Sequence, residues 1–203
     1  MLDVDCRVSS DGIVISDGEQ FPFGYFNSGL CSCNTAPYEI RFGDNVVFEG
    51  QTYYTFRLFP RPCDESIMMY GKPICSSLRS VVNKIAFRLT NSSATCFNDT
   101  RPLPTLDKAE NARVVRFWND TARRPEPWLP ARVGMTYSGK SVELYVYGLK
   151  YSYDWGYFMV LACRNAPSFA SVCKRTAQNL CLYAFVDTPG HKYVSVCRTQ
   201  GLI

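Results

Sequence analysis

Histidine is nearly missing from this chain: His191 is the only imidazole in 203 residues. It falls in "DTPGH" (187–191), a predicted turn, where a surface side chain is expected rather than a catalytic base. No C-x-x-C pair occurs, so a zinc site would need four scattered thiolates, and no metal or other cofactor is expected. No apolar run approaches the roughly 18 residues of a transmembrane helix, which argues against membrane insertion. No Gly/Ser tract, charge run or low-complexity segment offers a linker, so residues 1–203 read as one domain. The net charge of +4 is too slight for a nucleic-acid partner, which prefers a concentrated basic stripe. The densest basic stretch, Arg113, Arg116, Arg123, Arg124 and Arg132, reads as a solvated surface. The N-terminal "MLDVDCRVSSDG" shows no signal-peptide apolar segment, so a domain cut from a larger precursor is expected, with a protein not secreted on its own as the alternative.

Aromatics and cysteines are what the chain has in plenty. Aromatic residues make up 14%, including thirteen Tyr and thirteen Phe, as suits strands and binding surfaces. The ten cysteines fit an oxidising compartment and several disulfides, with free buried thiols in a cytosol-assembled particle as the alternative. Asn91, Asn98 and Asn119 each open an N-x-[ST] sequon, which agrees with an extracellular life.

Period-two alternation dominates. Segments 12–16, 45–50, 52–59, 84–90, 112–118, 141–151, 157–164, 180–187 and 192–198 are β-branched and aromatic, and Gly, Pro, Asn and Asp bound them. A helical spacing of Leu78, Val81, Val82, Ile85 and Leu89 behind Ser76 and Ser77 competes locally, and a short turn could start at Thr105. The expected fold is all-β and mainly antiparallel, a sandwich or barrel with at most one or two short helices.

Two motifs invite an enzymatic reading. "GMTYSGKS" (134–141) fits the phosphate-loop pattern G-x-x-x-x-G-K-[ST]. Such a loop works only at a helix N-terminus, and "VELYVYGLKYSY" after Lys140 favours a strand. "FGDN" (42–45) resembles the nucleophile block of SGNH-type esterases, yet Asn45 stands where the serine belongs and an amide cannot serve. No catalytic residue is assigned.

A β scaffold without catalytic chemistry reads as a recognition module. Candidate receptor-binding positions are Tyr25, Asn27, Ser28, Arg123, Arg124, Asp154 and Trp155. A homodimer face is expected among Tyr145, Tyr147, Tyr151, Tyr153, Trp155 and Tyr157. A three-residue loop at Thr188–Gly190 would set Cys181 opposite Cys197 in a hairpin, close enough for a disulfide.

The stretch "ARVGMTYSGKSVELYVYG" (131–148), with the chain length and Tyr-rich strands, resembles the capsid spike (projection) domain of astroviruses. That resemblance implies a β-barrel-like spike, paired as a homodimer on the virion surface, that attaches to a host-cell receptor, glycan or protein. Two alternatives stand beside it. One is the receptor-binding part of an enveloped-virus or secreted glycoprotein, which the sequons suit. The other is an inactive or divergent esterase domain, suggested by "FGDN".

Overall fold

The computed structural model describes residues 35–69, 71–80, 82–93, 96, 112–135, 142–147, 157–175, 181–186 and 194–198. Two antiparallel sheets account for most of them. The first holds β1 (Tyr38–Phe42), β2 (Val46–Phe48), β3 (Gln51–Pro60), β7 (Val115–Asn119), β8 (Arg124–Trp128) and β11 (Tyr157–Leu161), in the order β1-β3-β11-β7-β8 with β2 also paired to β3. The second runs β13-β12-β6-β10-β9, from β6 (Lys84–Leu89), β9 (Ala131–Met135), β10 (Val142–Tyr147), β12 (Leu182–Val186) and β13 (Val194–Arg198). A small pair, β4 (Met68–Met69) and β5 (Lys72–Pro73), leads into the short helix α1 (Ile74–Ser80). The expected all-β sandwich is what forms.

Alternation explains the packing. On β3, Tyr54 and Phe56 face inward, while Tyr53, Thr55 and Arg57 face away. Phe56 is the hub between the sheets. Its ring stacks on Phe158 at 4.9 Å and meets Phe87 of the opposite sheet at 5.3 Å. Phe169, from the 3₁₀ turn Phe169–Ser171, plugs the same pocket at 4.8 Å. Burying one such ring contributes about 1.5–3 kcal/mol. A second link crosses near the edge, where the Ile40 amide donates to the Tyr183 hydroxyl at 3.2 Å. Burial pushes the Tyr183 phenol up to about 12, so it stays neutral.

Three disulfides lie among the described residues: Cys63–Cys75, Cys96–Cys163 and Cys173–Cys181, with Cα separations of 5.8, 5.2 and 5.6 Å. The expected Cys181–Cys197 bridge is therefore wrong. β12 and β13 do pair, but Tyr183 rather than Cys181 faces Cys197, a register two residues from the expected one, and Cys181 is taken by Cys173.

The helix signal behind Ser76 and the strand signal at 84–90 are both realised in part. α1 ends at Ser80, and Ile85 and Leu89 then serve β6, whose six residues are all buried. The expected segments left out β1, although "YEIRF" alternates apolar and charged residues. They also left out β8, "RPEPW", whose prolines are tolerated because it lies at a sheet edge. The expected strand at 12–16 and the turn at Thr105 fall outside the described residues.

Both enzymatic motifs have structural explanations. Gly134 lies in β9 and pairs with Glu143, and Ser141 is followed at once by β10. Residues 136–141 of the phosphate-loop match fall outside the described residues, and the element that follows them is strand β10, where a phosphate loop needs a helix to present amides to an anion. In "FGDN" the chain bulges against β3: Phe42 faces Phe56, yet Val46 faces Tyr53, so three residues oppose two. The Gly43 amide donates to the Thr55 carbonyl at 2.9 Å, and the Thr55 hydroxyl to the Asp44 carbonyl at 2.7 Å. A Cβ on Gly43 would collide with the Thr55 hydroxyl. The Asn45 amide donates to the Pro167 carbonyl at 2.7 Å, which is an anchoring role.

Candidate recognition face

The outer face of the first sheet carries a cross-strand row. Arg41 faces Arg57 across β1 and β3, and Tyr157 faces Trp118 across β11 and β7. Phe158 opposite Phe56 brings Tyr157 beside Arg57, completing the row Arg41–Arg57–Tyr157–Trp118. The Tyr157 and Trp118 rings stack at 6.1 Å and 6°. The Arg57 guanidinium stands 5.4 Å from the centre of the Tyr157 ring. At the ends of the row, Arg41 lies 4.3 Å over Phe59, and Arg116 lies 4.8 Å over Trp128.

One contact gives the face its relief. Phe48 closes the β2–β3 hairpin opposite Gln51, through a turn in which Glu49 and Gly50 both have positive φ, 50° and 74°. Along β3 that is far from Arg57, yet the Phe48 ring meets Trp118 edge-on at 5.9 Å. The hairpin must therefore curl over the outer face. Tyr53, Thr55 and Met159 are buried although they point away from the core, Thr55 against the Gly43–Asp44 bulge. The rim above them stays partly open: Phe48, Phe59, Trp118, Trp128 and Tyr157 are half-buried, and Arg41 and Arg57 are exposed.

The arginines differ in how they are held. Arg41 is paired with Glu39. Arg116 donates through Nε to the Glu126 carbonyl at 2.9 Å, leaving the rest of its guanidinium free of any carboxylate among the described residues. Arg57 likewise has no carboxylate partner there. The Tyr157 hydroxyl is pushed above the usual phenol value by burial and by Asp120, with Arg57 opposing, so the ring is neutral at physiological pH.

Of the sequence-based candidates, Tyr157 belongs to this face. Arg123, with φ of 50°, and Arg124 are exposed at the β7–β8 turn on its border. Tyr145 and Tyr147 lie on the outer face of the second sheet, on the opposite side of the sandwich. The expected single dimer face combining them with Tyr157 is not formed, because β10 and β11 belong to different sheets; Tyr145 is moreover buried. Tyr25, Asn27, Ser28, Tyr151, Tyr153, Asp154 and Trp155 fall outside the described residues. Sequence reasoning missed Arg41, Phe48, Arg57, Trp118 and Trp128. Alternation in "TYYTFRLF" and "ARVVRFW" does put Arg57, Arg116 and Trp118 opposite the core-facing phenylalanines, and that signal was readable.

The second sheet's outer face holds a buried charged group instead. Glu143 faces Arg88 across β10 and β6, and both are buried. The Lys84 ammonium lies 4.8 Å from the Tyr145 ring centre and 5.4 Å from that of Tyr147. Burial drives the Lys84 pKa down to about 7, with Glu143 resisting and Arg132 adding to the fall. One cluster with metal-ligand chemistry occurs among the described residues, Cys63, Glu65 and Cys75, but its two sulfurs are bonded to each other.

No family model matches the chain, and no curated protein or solved structure does so either.

Proposed function

We propose that the domain is an extracellular recognition module that binds acidic carbohydrate on the outer face of its first sheet. The row Arg41–Arg57–Tyr157–Trp118 carries this reading. Sugar rings stack on aromatic faces, and a carboxylate or sulfate substituent takes the fork of a guanidinium. Arg57 offers such a fork, exposed, braced by Tyr157 and without a carboxylate of its own among the described residues. Single-stranded nucleic acid also uses aromatics with cations. Glu39, Asp120 and Glu126 around the row disfavour a polyanion backbone, while leaving room for an isolated acidic substituent. The three disulfides, and the absence among the described residues of a helix able to cross a membrane, are compatible with an extracellular setting. Attachment of a virion to a host receptor, the role implied by the spike-domain resemblance, is a narrower form of this reading and would use the same face.

The test is binding of the purified domain to arrayed neutral, carboxylated and sulfated glycans at two salt concentrations. Binding to acidic members that weakens with salt and falls at least tenfold in Arg57→Ala, at unchanged melting temperature, is expected. Binding to neutral sugars alone, no binding, or an unaffected Arg57→Ala variant overturns the proposal.

A further inference from the structure

Two of the three sequons start at residues the structure describes, and their surroundings are opposite. Asn119 ends β7 and is built into the β7–β8 turn. Its side-chain carbonyl accepts from the Ala122 amide at 2.9 Å, and its side-chain nitrogen donates to Glu126 at 2.9 Å. Asn91 leaves the end of β6 in the 3₁₀ turn Asn91–Ser93 and is exposed, with no hydrogen bond to its side chain among the described residues. The residue before it is fixed: the Thr90 amide donates to the Val172 carbonyl at 2.9 Å, so the asparagine stands out from an anchored base.

Strand order sharpens the contrast. β7 meets β11 only later, but its other partner β8 is the next strand in the chain, so the turn holding Asn119 can close within microseconds of emerging. β6 pairs with β10 and β12, which come much later. At roughly 5–20 residues synthesised per second, the end of β6 waits seconds for its neighbours. A transferase that needs an open sequon therefore finds Asn91 open for longer than Asn119, whose turn has its local partner at hand.

We propose that Asn91 is a site of N-linked glycosylation and that Asn119 is not modified. The donor is an oligosaccharide on a lipid diphosphate, supplied in the secretory lumen. The Asn91 side-chain nitrogen forms a bond to the anomeric carbon, the carbon–oxygen bond to the diphosphate breaks, and the nitrogen gives up one proton. The glycan then sits at the end of a strand of the second sheet, away from the arginine–aromatic row. At Asn119 it would adjoin Trp118 and crowd that row.

The chain, directed to the secretory pathway of eukaryotic cells by an added signal peptide, is tested with Thr100→Ala to silence Asn98. Enzymatic deglycosylation in heavy-oxygen water marks each formerly occupied asparagine by mass. A mark on Asn91 and none on Asn119 is expected, with the glycan lost in Ser93→Ala and kept in Thr121→Ala. Either an unmarked Asn91 or a marked Asn119 overturns the proposal. Because Ser93→Ala and Thr121→Ala leave both asparagines in place, the outcome does not depend on disturbing the turn. The result is independent of whether the arginine–aromatic face binds sugar.

Discussion

Tyr157 lies flat against Trp118 and takes the Arg57 guanidinium on its other flank, so the three side chains form one stack across three strands. Aromatic pairs of this kind contribute about 0.5–1.5 kcal/mol beyond the area they bury. Tyr157→Phe keeps the ring and should preserve both melting temperature and acidic-glycan affinity. Tyr157→Ala should cost about 1–2 kcal/mol of stability by denaturant titration and weaken glycan binding about tenfold. Equal affinities for the two variants would show that the stack has no part in recognition.

Lys84 predicts how stability changes with pH. Its folded pKa, about 7, lies below the unfolded value near 10.5. Between these values the unfolded chain binds more protons, so stability is lowest below pH 7 and rises towards pH 10. The change is on the order of a few kcal/mol. Tyr54, Tyr147, Tyr157 and Tyr183 are shifted upward by burial, so above pH 10 the unfolded chain loses protons first and stability falls again. Denaturant midpoints across pH 6–11 should trace this hump. Lys84→Met should flatten its rising side.

Non-reducing peptide maps should return Cys63–Cys75, Cys96–Cys163 and Cys173–Cys181. In the chain-entropy account, a loop closed over 8 residues by Cys173–Cys181 stabilises by about 2.5 kcal/mol. The 67-residue span of Cys96–Cys163 gives roughly 4 kcal/mol. The Cys96→Ser/Cys163→Ser pair should therefore lower the melting temperature more than Cys173→Ser/Cys181→Ser. The reverse order would show that restricting the unfolded chain is not the main way these bridges stabilise the domain.

Gly43→Ala should destabilise the domain by about 1–3 kcal/mol, because the new methyl meets the Thr55 hydroxyl inside the bulge. Adding Thr55→Ala should recover part of the loss, and a double-mutant cycle reads the coupling. Additive effects would mean that the bulge relaxes around the methyl.

How much of this was legible in the sequence follows from the kind of signal each part carries. β3 and β6 announce themselves through β-branched and aromatic density, and both formed where expected. β8 did not, because proline argues against a strand until its edge position is known. The Cys181 pairing failed on register: the strands pair two residues away from the expected alignment, and Cys173, reached through the segment that bonds the end of β6, was the nearer partner. The recognition row is built from residues on four strands. Each residue was individually visible as pointing away from the core, but their adjacency depends on strand order, which alternation alone does not give.

Cys96 follows the end of β6 in one sheet, and Cys163 follows β11 in the other. Their cystine acts as a clasp between the two layers. A ligand gripped on the outer face of the first sheet would pull directly on β3, β11 and β7, and side-chain packing alone would otherwise carry that load to the second sheet. The clasp gives tension a covalent route across the sandwich, so the layers cannot peel apart at that end while the ligand is held.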